Sequence, residues 1–259
     1  MAVTYHLVQS LVKSLAIIDI LAESSDGMGV TEIGEKVGMN KSTVHRILTT
    51  LVHEKYVEQD RVKGNYRLSL KVFEIARKIL NNIRPTKVIT PYLEKLAEQT
   101  GESARFSVVD YENTRLIVCD EVLTLKPIKV RSHLGESLSL SGTAAGKMFL
   151  ANMSDEKIKD IMDQKGRKTV LEDDNYSFSQ LRGDLNVVRE KGYAYDRGQD
   201  EVEMICDVAA PVYDETGRII ALIEVFVPAF RCQKNFEQEA GKLVKHAAHE
   251  ISLKLGFLP

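Results

Sequence analysis

The sequence predicts an α+β fold in two parts: an N-terminal winged helix-turn-helix, then an antiparallel sheet flanked by helices. Three observations carry that expectation. Residues 31–68 order a short helix, a glycine-centred turn, a second amphipathic helix and a charged two-stranded ribbon. Beyond residue 85, strands spaced as hairpins are mixed with helical periodicities. The formal net charge of -2 is also split: residues 1–84 hold 12 Lys and Arg against 9 Asp and Glu, the remainder 23 against 28. A basic front on an acidic body fits phosphate contact by the front alone. At 259 residues the chain is long enough for about two domains, each with its own core.

Taken in order, residues 10–22 place Leu11, Leu15, Ile18 and Leu21 at spacings of three and four, one helix face, with Ser10 as the expected N-cap. The turn-rich Ser24-Ser-Asp-Gly27 ends it. Thr31 is expected to cap a helix of about two turns carrying Ile33 and Val37 on one side, which Gly38 ends in the left-handed conformation. Asn40 caps the next helix. There Val44, Ile47, Leu48, Leu51 and Val52 form a single apolar stripe. Opposite lie Ser42, Arg46, Thr49, Thr50 and His53, with Thr43 and His45 on the edges. Short hydroxyls, an imidazole and a guanidinium suit base edges and phosphates in a major groove, and the helix N-terminal amides favour phosphate. An ordinary surface helix has a polar outside too. The turn before it and the ribbon after it favour double-stranded DNA, with Lys41, Ser42, Thr43, His45, Arg46 and Thr50 as contacts. In the ribbon, residues 56–59 and 65–68 are joined by Asp60-Arg-Val-Lys-Gly64, so Arg61, Lys63 and Arg67 are candidates for the sugar-phosphate backbone. Charged tips also occur on hairpins that bind nothing.

Residues 69–82 read as a helix whose Val72, Phe73, Ile75, Ala76, Ile79 and Leu80 spread wider than one stripe. Such breadth fits burial against more than one neighbour, a partner chain among them, though a long core helix would look the same. Arg84-Pro85 marks the expected border, dividing the chain into a DNA-binding domain (1–68), a linker helix (69–84) and a C-terminal domain (85–259). In the last, helices are expected at residues 86–99, 143–152, 155–165, 178–191 and 235–255. Strands are expected at 103–110, 115–122, 127–131, 193–196, 204–213 and 218–227, the last two meeting at Asp214-Glu-Thr-Gly217.

Several classes are disfavoured. Cys119, Cys206 and Cys232 share no CxxC spacing, which fits reduced thiols in a cytoplasmic protein rather than a disulfide framework or zinc site. Residues at the N-terminus show no positively charged region followed by a long apolar run, and no segment approaches the roughly 18 unbroken apolar residues of a spanning helix, so a protein neither secreted nor membrane-spanning is expected. An enzyme would put catalysis in the C-terminal part, where His246, His249 and Glu250 cluster on the last helix. Neither an HExxH pattern, a nucleophile elbow nor a phosphate loop accompanies them. The expectation is therefore no catalytic residue, no metal and no cofactor.

The segments Gly29-Val-Thr-Glu-Ile-Gly-Glu-Lys-Val-Gly38, Lys41-Ser-Thr-Val-His-Arg46, Tyr56-Val-Glu-Gln59 and Tyr66-Arg-Leu68, then Gly146-Lys147, Gly192-Tyr193, Ala209-Ala-Pro211 and Asp214 with Gly217, carry a resemblance to a known family. Over nearly its whole length the chain resembles the IclR (isocitrate lyase regulator) family of bacterial transcription factors. That resemblance implies a GAF-like C-terminal domain binding a small-molecule effector, and homodimers, often paired into tetramers, on palindromic operators. It places the effector near Ala144, Ala145 and Asp196. It also exposes departures: Asp207 stands where relatives carry a cysteine, with Cys206 one place early. Glu224 and Phe226 stand where two serines are common, Val227-Pro228 where Gly-Pro is common, and Ser141 in place of a histidine. Asp207 and Glu224, if ionised and poorly solvated, would repel a carboxylate effector. The effector is then cationic, neutral and aromatic against Phe226, or metal-assisted, or there is none. Alternatively, strand alternation turns Asp207 and Glu224 to solvent.

Overall fold

The structure is a computed structural model that describes residues 7–60, 62–82, 85–163, 177–198 and 204–258. The chain divides into two compact units, Met1–Asn82 and Ile83–Pro259.

The first unit holds α1 (Gln9–Ala22), α2 (Val30–Lys36), α3 (Lys41–His53), an antiparallel ribbon of β1 (Val57–Gln59) and β2 (Tyr66–Leu68), and α4 (Leu70–Asn82). Its core is Ile17, Leu21, Met28, Ile33, Val44, Leu48, Leu51, Val57 and Tyr66. Two expected caps are corrected. Val8 rather than Ser10 precedes α1, and Gly29 rather than Thr31 precedes α2, neither with a side-chain cap hydrogen bond. Instead Ser10 sits inside α1, its carbonyl accepting from Ser14 Oγ. The buried face of α1 is also different: Ile17 and Leu21 are buried, but Leu11 and Leu15 are 61% and 60% exposed. Only the C-terminal half of α1 reaches the core. Between α2 and α3, Gly38 has a φ of 63°, as the turn requires. Asn40 caps α3, its side-chain oxygen accepting from the Thr43 amide at 2.9 Å. Along α4, Leu70, Phe73, Ile75 and Ile79 are exposed.

The second unit is a six-stranded sheet in the order β5-β4-β3-β8-β7-β6 with every pairing antiparallel. Its strands are β3 (Ser103–Asp110), β4 (Arg115–Val122), β5 (Ser137–Leu138), β6 (Ala194–Asp196), β7 (Ile205–Tyr213) and β8 (Ile219–Pro228). On one face, α5 (Pro85–Thr100) and α9 (Phe236–Lys254) cover Ala104, Phe106, Val208, Ala210, Ala221 and Ile223. The other face carries Leu116, Val118, Ala209 and Leu222, packed by α6 (Ala144–Ala151), α7 (Asp155–Asp163) and α8 (Phe178–Lys191). Both faces are covered, so β7 and β8 are buried almost throughout.

The strand expected at 127–131 does not form. At the free edge of β4, Val118 bonds Glu136 and Gly135 through its amide and carbonyl, so the adjoining residues 137–138 take the ladder. The Ile128 carbonyl accepts instead from Arg231 Nη1 at 2.7 Å. The end of the helix expected at 155–165 lies outside the described residues, as does Arg61.

Candidate nucleic-acid interface and buried polar cluster

The stripe Val44, Leu48 and Leu51 anchors α3 in the first core, so its opposite side is presented outward. Lys41, Ser42, His45, Arg46 and Thr50 are exposed and Thr43 is half-buried. Several hydroxyls are already oriented: Ser42 Oγ donates to Asn40 Oδ1 at 2.8 Å, and Thr50 Oγ1 donates to the Arg46 carbonyl at 3.1 Å. Each keeps lone pairs to accept from a base amino group. Arg46, Thr43 and Thr50 also line a groove of about 480 Å³ with Gln9, Lys13 and Ser14 of α1. Lys13, which was not among the residues expected at this surface, lines the same groove as Arg46.

In the ribbon, the Asp60 carboxylate accepts from the amides of Val62 and Lys63 at 2.7 and 2.9 Å, fixing the tip. Those amides, Lys63 first, lower the Asp60 carboxyl pKa. Arg67 is paired across the ribbon with Glu58 at 2.7 Å, both side chains being about half exposed. An exposed pair of this kind contributes only about 0–1 kcal/mol, so a phosphate can compete with Glu58 for the guanidinium.

In the second unit, the register sets Arg105 opposite Glu224, Phe226 opposite Asp207, and Asp207 opposite Asp196. Alternation turns all five toward the α6 side of the sheet. Asp207 and Glu224 are therefore not at the solvent: they are 3% and 0% exposed. Their compensation comes from Arg105, itself 2% exposed. Its Nε and Nη2 donate to Glu224 at 2.9 and 3.3 Å, Nη2 lies 4.0 Å from Asp207, and its guanidinium stacks 4.6 Å from the Phe226 ring. Burial opposes the Arg105 charge, but Glu224 above all, then Asp207 and Glu121, raise its pKa. His133 Nδ1 is 3.3 Å from Arg105 Nη1.

From the helix side, the Ala144 amide donates to Asp207 Oδ2 at 3.0 Å, and Lys147 pairs with Asp196. Thr143 caps α6 through the Gly146 amide. Gly146 is required: a Cβ there would lie 2.3 Å from the Ser139 carbonyl oxygen, so residues 139–140 can run against α6. Burial, then Glu224 and Asp196, push the Asp207 carboxyl well above the usual carboxylate range, outweighing Arg105 and the Ala144 amide. Ser107 lies one pleat from Arg105 on the same face, opposite Leu222; its Oγ is fully buried and hydrogen-bonded to nothing among the described residues.

Cys206, one residue before Asp207, faces the other way. Its thiol is 4.0 Å from Tyr195 Oη, which is 3.7 Å from Cys232 Sγ. Burial first, then Cys232, push the Cys206 thiol up to about 12. His246 pairs with Glu250 at 3.7 Å on the exposed side of α9. Among the described residues, no group of three or more His, Cys, Asp or Glu side chains is placed to hold a metal ion.

A winged helix-turn-helix joined to a helix-flanked antiparallel sheet defines a helix-turn-helix transcriptional regulator. The chain belongs to the IclR family: residues 10–61 match the IclR helix-turn-helix domain, and residues 77–253 match the C-terminal domain of bacterial transcriptional regulator IclR. It is a DNA-binding transcriptional regulator of that family. The acetate operon repressor of Salmonella typhimurium is 28% identical over 249 residues, covering 96% of this chain and 90% of the relative. An IclR transcriptional regulator from Alicyclobacillus acidocaldarius has a similar fold, with a TM-score of 0.79, 22% identity and coverage of 96% and 99% of the two chains. An IclR homolog from Microbacterium hydrocarbonoxydans, solved in complex with 4-hydroxybenzoate, gives a TM-score of 0.74 at 20% identity, covering 93% and 98%. Among the described residues, no helix is long and apolar enough to cross a membrane.

Proposed function

We propose that α3 reads the major groove of a palindromic operator through Lys41, Ser42, Thr43, His45, Arg46 and Thr50. Arg61, Lys63 and Arg67 of the wing track the flanking phosphates. One observation carries this reading: α3 is held in the core by a single buried stripe and presents Arg46 and His45, exposed, on its opposite side. In a binding titration on the protein's own upstream region, Arg46→Ala weakens binding at least tenfold, and affinity falls steeply with added salt. Undiminished affinity in that variant refutes the placement.

Residues 1–68 then serve DNA contact, 69–84 transmission, and 85–259 effector binding and oligomerisation. The apolar side chains left exposed on α1 (Leu11, Leu15) and α4 (Leu70, Phe73, Ile79) support a homodimer, in which a second copy would cover them. The site for a small effector is the α6-facing cluster of Ala144, Ala145, Asp196, Asp207, Glu224 and Phe226, with Ser107 on the same face of the sheet. That a related protein was solved with 4-hydroxybenzoate supports ligand binding in this domain. The carboxylates of the present cluster point to a neutral or cationic effector, so small dicarboxylates give no thermal shift. A second reading, regulation without any effector, is favoured by the pairing of Arg105 with Glu224, which compensates that buried charge from within the chain.

A further inference from the structure

We propose that Cys206 and Cys232 form a redox-active dithiol, which a hydroperoxide converts to an intrachain disulfide. Neither the DNA contacts nor the effector cluster is needed for this chemistry.

Strand order and chain path bring the two thiols together. Cys206 sits near the start of β7 with its side chain on the α9 side of the sheet, the side that Val208 and Ala210 share. On the neighbouring strand β6, Tyr195 pairs with Val208, so its ring stands on that same side. After β8 the chain leaves the ladder in a 3-10 turn, Ala229–Arg231, tied to the residue before β7 by the Ala229 amide donating to the Met204 carbonyl at 2.6 Å. That turn returns Cys232 to the neighbourhood of Cys206. Tyr195 Oη meets both sulfurs, donating to Cys206 at 4.0 Å and lying 3.7 Å from Cys232. The two thiols also act on each other: burial comes first and a hydrogen bond to Cys232 second among the causes that raise the Cys206 pKa. The third thiol, Cys119, lies on β4, with β3 and β8 between it and β7.

Exposure and acidity give the two sulfurs different parts. Cys206 is 0% exposed and its thiol is pushed up to about 12, so it stays protonated and sheltered near neutral pH. Cys232 is half-buried and is reached first. Its thiolate attacks the outer oxygen of a hydroperoxide. The S–O bond forms as the O–O bond breaks, and an alcohol, or water from hydrogen peroxide, leaves with the thiol's proton. Cys232 is then a sulfenic acid, and the thiol that helped to raise the Cys206 pKa is gone. The Cys206 sulfur attacks the sulfenic sulfur: the S–S bond forms as the S–O bond breaks, and hydroxide leaves with the Cys206 proton as water. Two thiols have lost two electrons, and the peroxide has gained them. Cys232 belongs to no strand, so the segment after the turn can make the short movement that an S–S bond requires. A small dithiol reduces the bond and restores both thiols.

The full-length chain, reduced and then freed of reductant, is exposed to hydrogen peroxide, denatured, alkylated and digested for mass spectrometry. In wild type a peptide pair joining Cys206 to Cys232 appears, the intact chain loses two hydrogens while running as a monomer on a non-reducing denaturing gel, and dithiothreitol reverses both. This pairing runs at least about tenfold faster than any oxidation of Cys119, whose thiol pKa is also raised by burial. Dimedone, which traps sulfenic acids, labels Cys232 in Cys206→Ser, whereas Cys232→Ser leaves Cys206 reduced over the same time. Passage of Cys232 to a sulfinic acid without pairing overturns the proposal, as does pairing through Cys119 or between two chains. Thiols that persist in the folded chain after the unfolded chain has been oxidised overturn it equally. A folded Cys206→Ser chain that gives no dimedone adduct also overturns it. Should that variant not fold, wild type decides alone, by whether the Cys206–Cys232 pair appears.

Discussion

Replacing Arg105 by Met tests the electrostatic account of the second unit most directly. The substitution keeps an unbranched apolar stem over Phe226 and removes the charge. Two hydrogen bonds to Glu224, at 2.9 and 3.3 Å, are lost, and the Asp207 contact at 4.0 Å with them. Glu224 is 0% exposed, so water cannot replace the guanidinium without opening the sheet. Breaking a buried pair by removing one partner costs about 3–5 kcal/mol, because an uncompensated charge is left behind. In a domain of this size each kcal/mol moves Tm by about 2–4 °C, so the melting transition of the C-terminal unit falls by about 6–20 °C. Adding Glu224→Gln removes the orphaned charge, so the double variant is more stable than Arg105→Met alone. Calorimetry on the full chain, supported by urea titration, measures both. A single variant within about 1 kcal/mol of wild type, or a double variant whose losses simply add, refutes the assignment of Arg105 as the compensating charge.

The cap on the candidate recognition helix is tested by Asn40→Ala, which removes the acceptor of the Thr43 amide and costs about 1 kcal/mol in the first unit. Urea unfolding of the N-terminal unit reads this, and a midpoint equal to wild type contradicts the cap. Asp207→Asn reports the titration of that carboxyl. Because the folded state raises its pKa above the ordinary 3.8, the folded protein holds the Asp207 proton more tightly than the unfolded chain. The stability this confers is complete below pH 3.8 and lost as pH rises through the folded value. The Tm of Asp207→Asn relative to wild type therefore increases from pH 4.5 toward neutrality, and a difference that is flat or shrinks speaks against the raised pKa.

The first unit was largely legible because its signals are local. The Asn40 cap, the Gly38 turn and the ribbon each rest on contacts within a few residues and are present, and the α3 stripe is present through Val44, Leu48 and Leu51, with Ile47 half-buried and Val52, at the end of the helix, exposed. Errors there were failures of context: Ser10 and Thr31 are good capping residues, yet each helix begins one residue earlier in the chain, at Gln9 and Val30. Leu11 and Leu15 have core spacing, but the rest of the unit does not extend far enough to cover them. The strand expected at 127–131 failed for a tertiary reason, since the β4 edge was taken by residues 135–138.

The candidate ligand cluster shows the same division more sharply. Sequence alone marked Asp207, Glu224 and Phe226 as unusual but left open whether the acids met solvent or the interior. It passed over Arg105 altogether, because Ser103, Arg105 and Ser107 alternate with Ala104, Phe106 and Val108 as the polar side of a half-exposed strand does. Helices cover both sides of this sheet, and the β3–β8 register sets Arg105 against Glu224 across 119 residues of chain. Local periodicity determined the winged helix-turn-helix, the helix-flanked sheet and the polar face of α3, because each is written in the spacing of near neighbours. Only the tertiary structure decided which charges are buried together, since that depends on strand register and on which faces the helices cover.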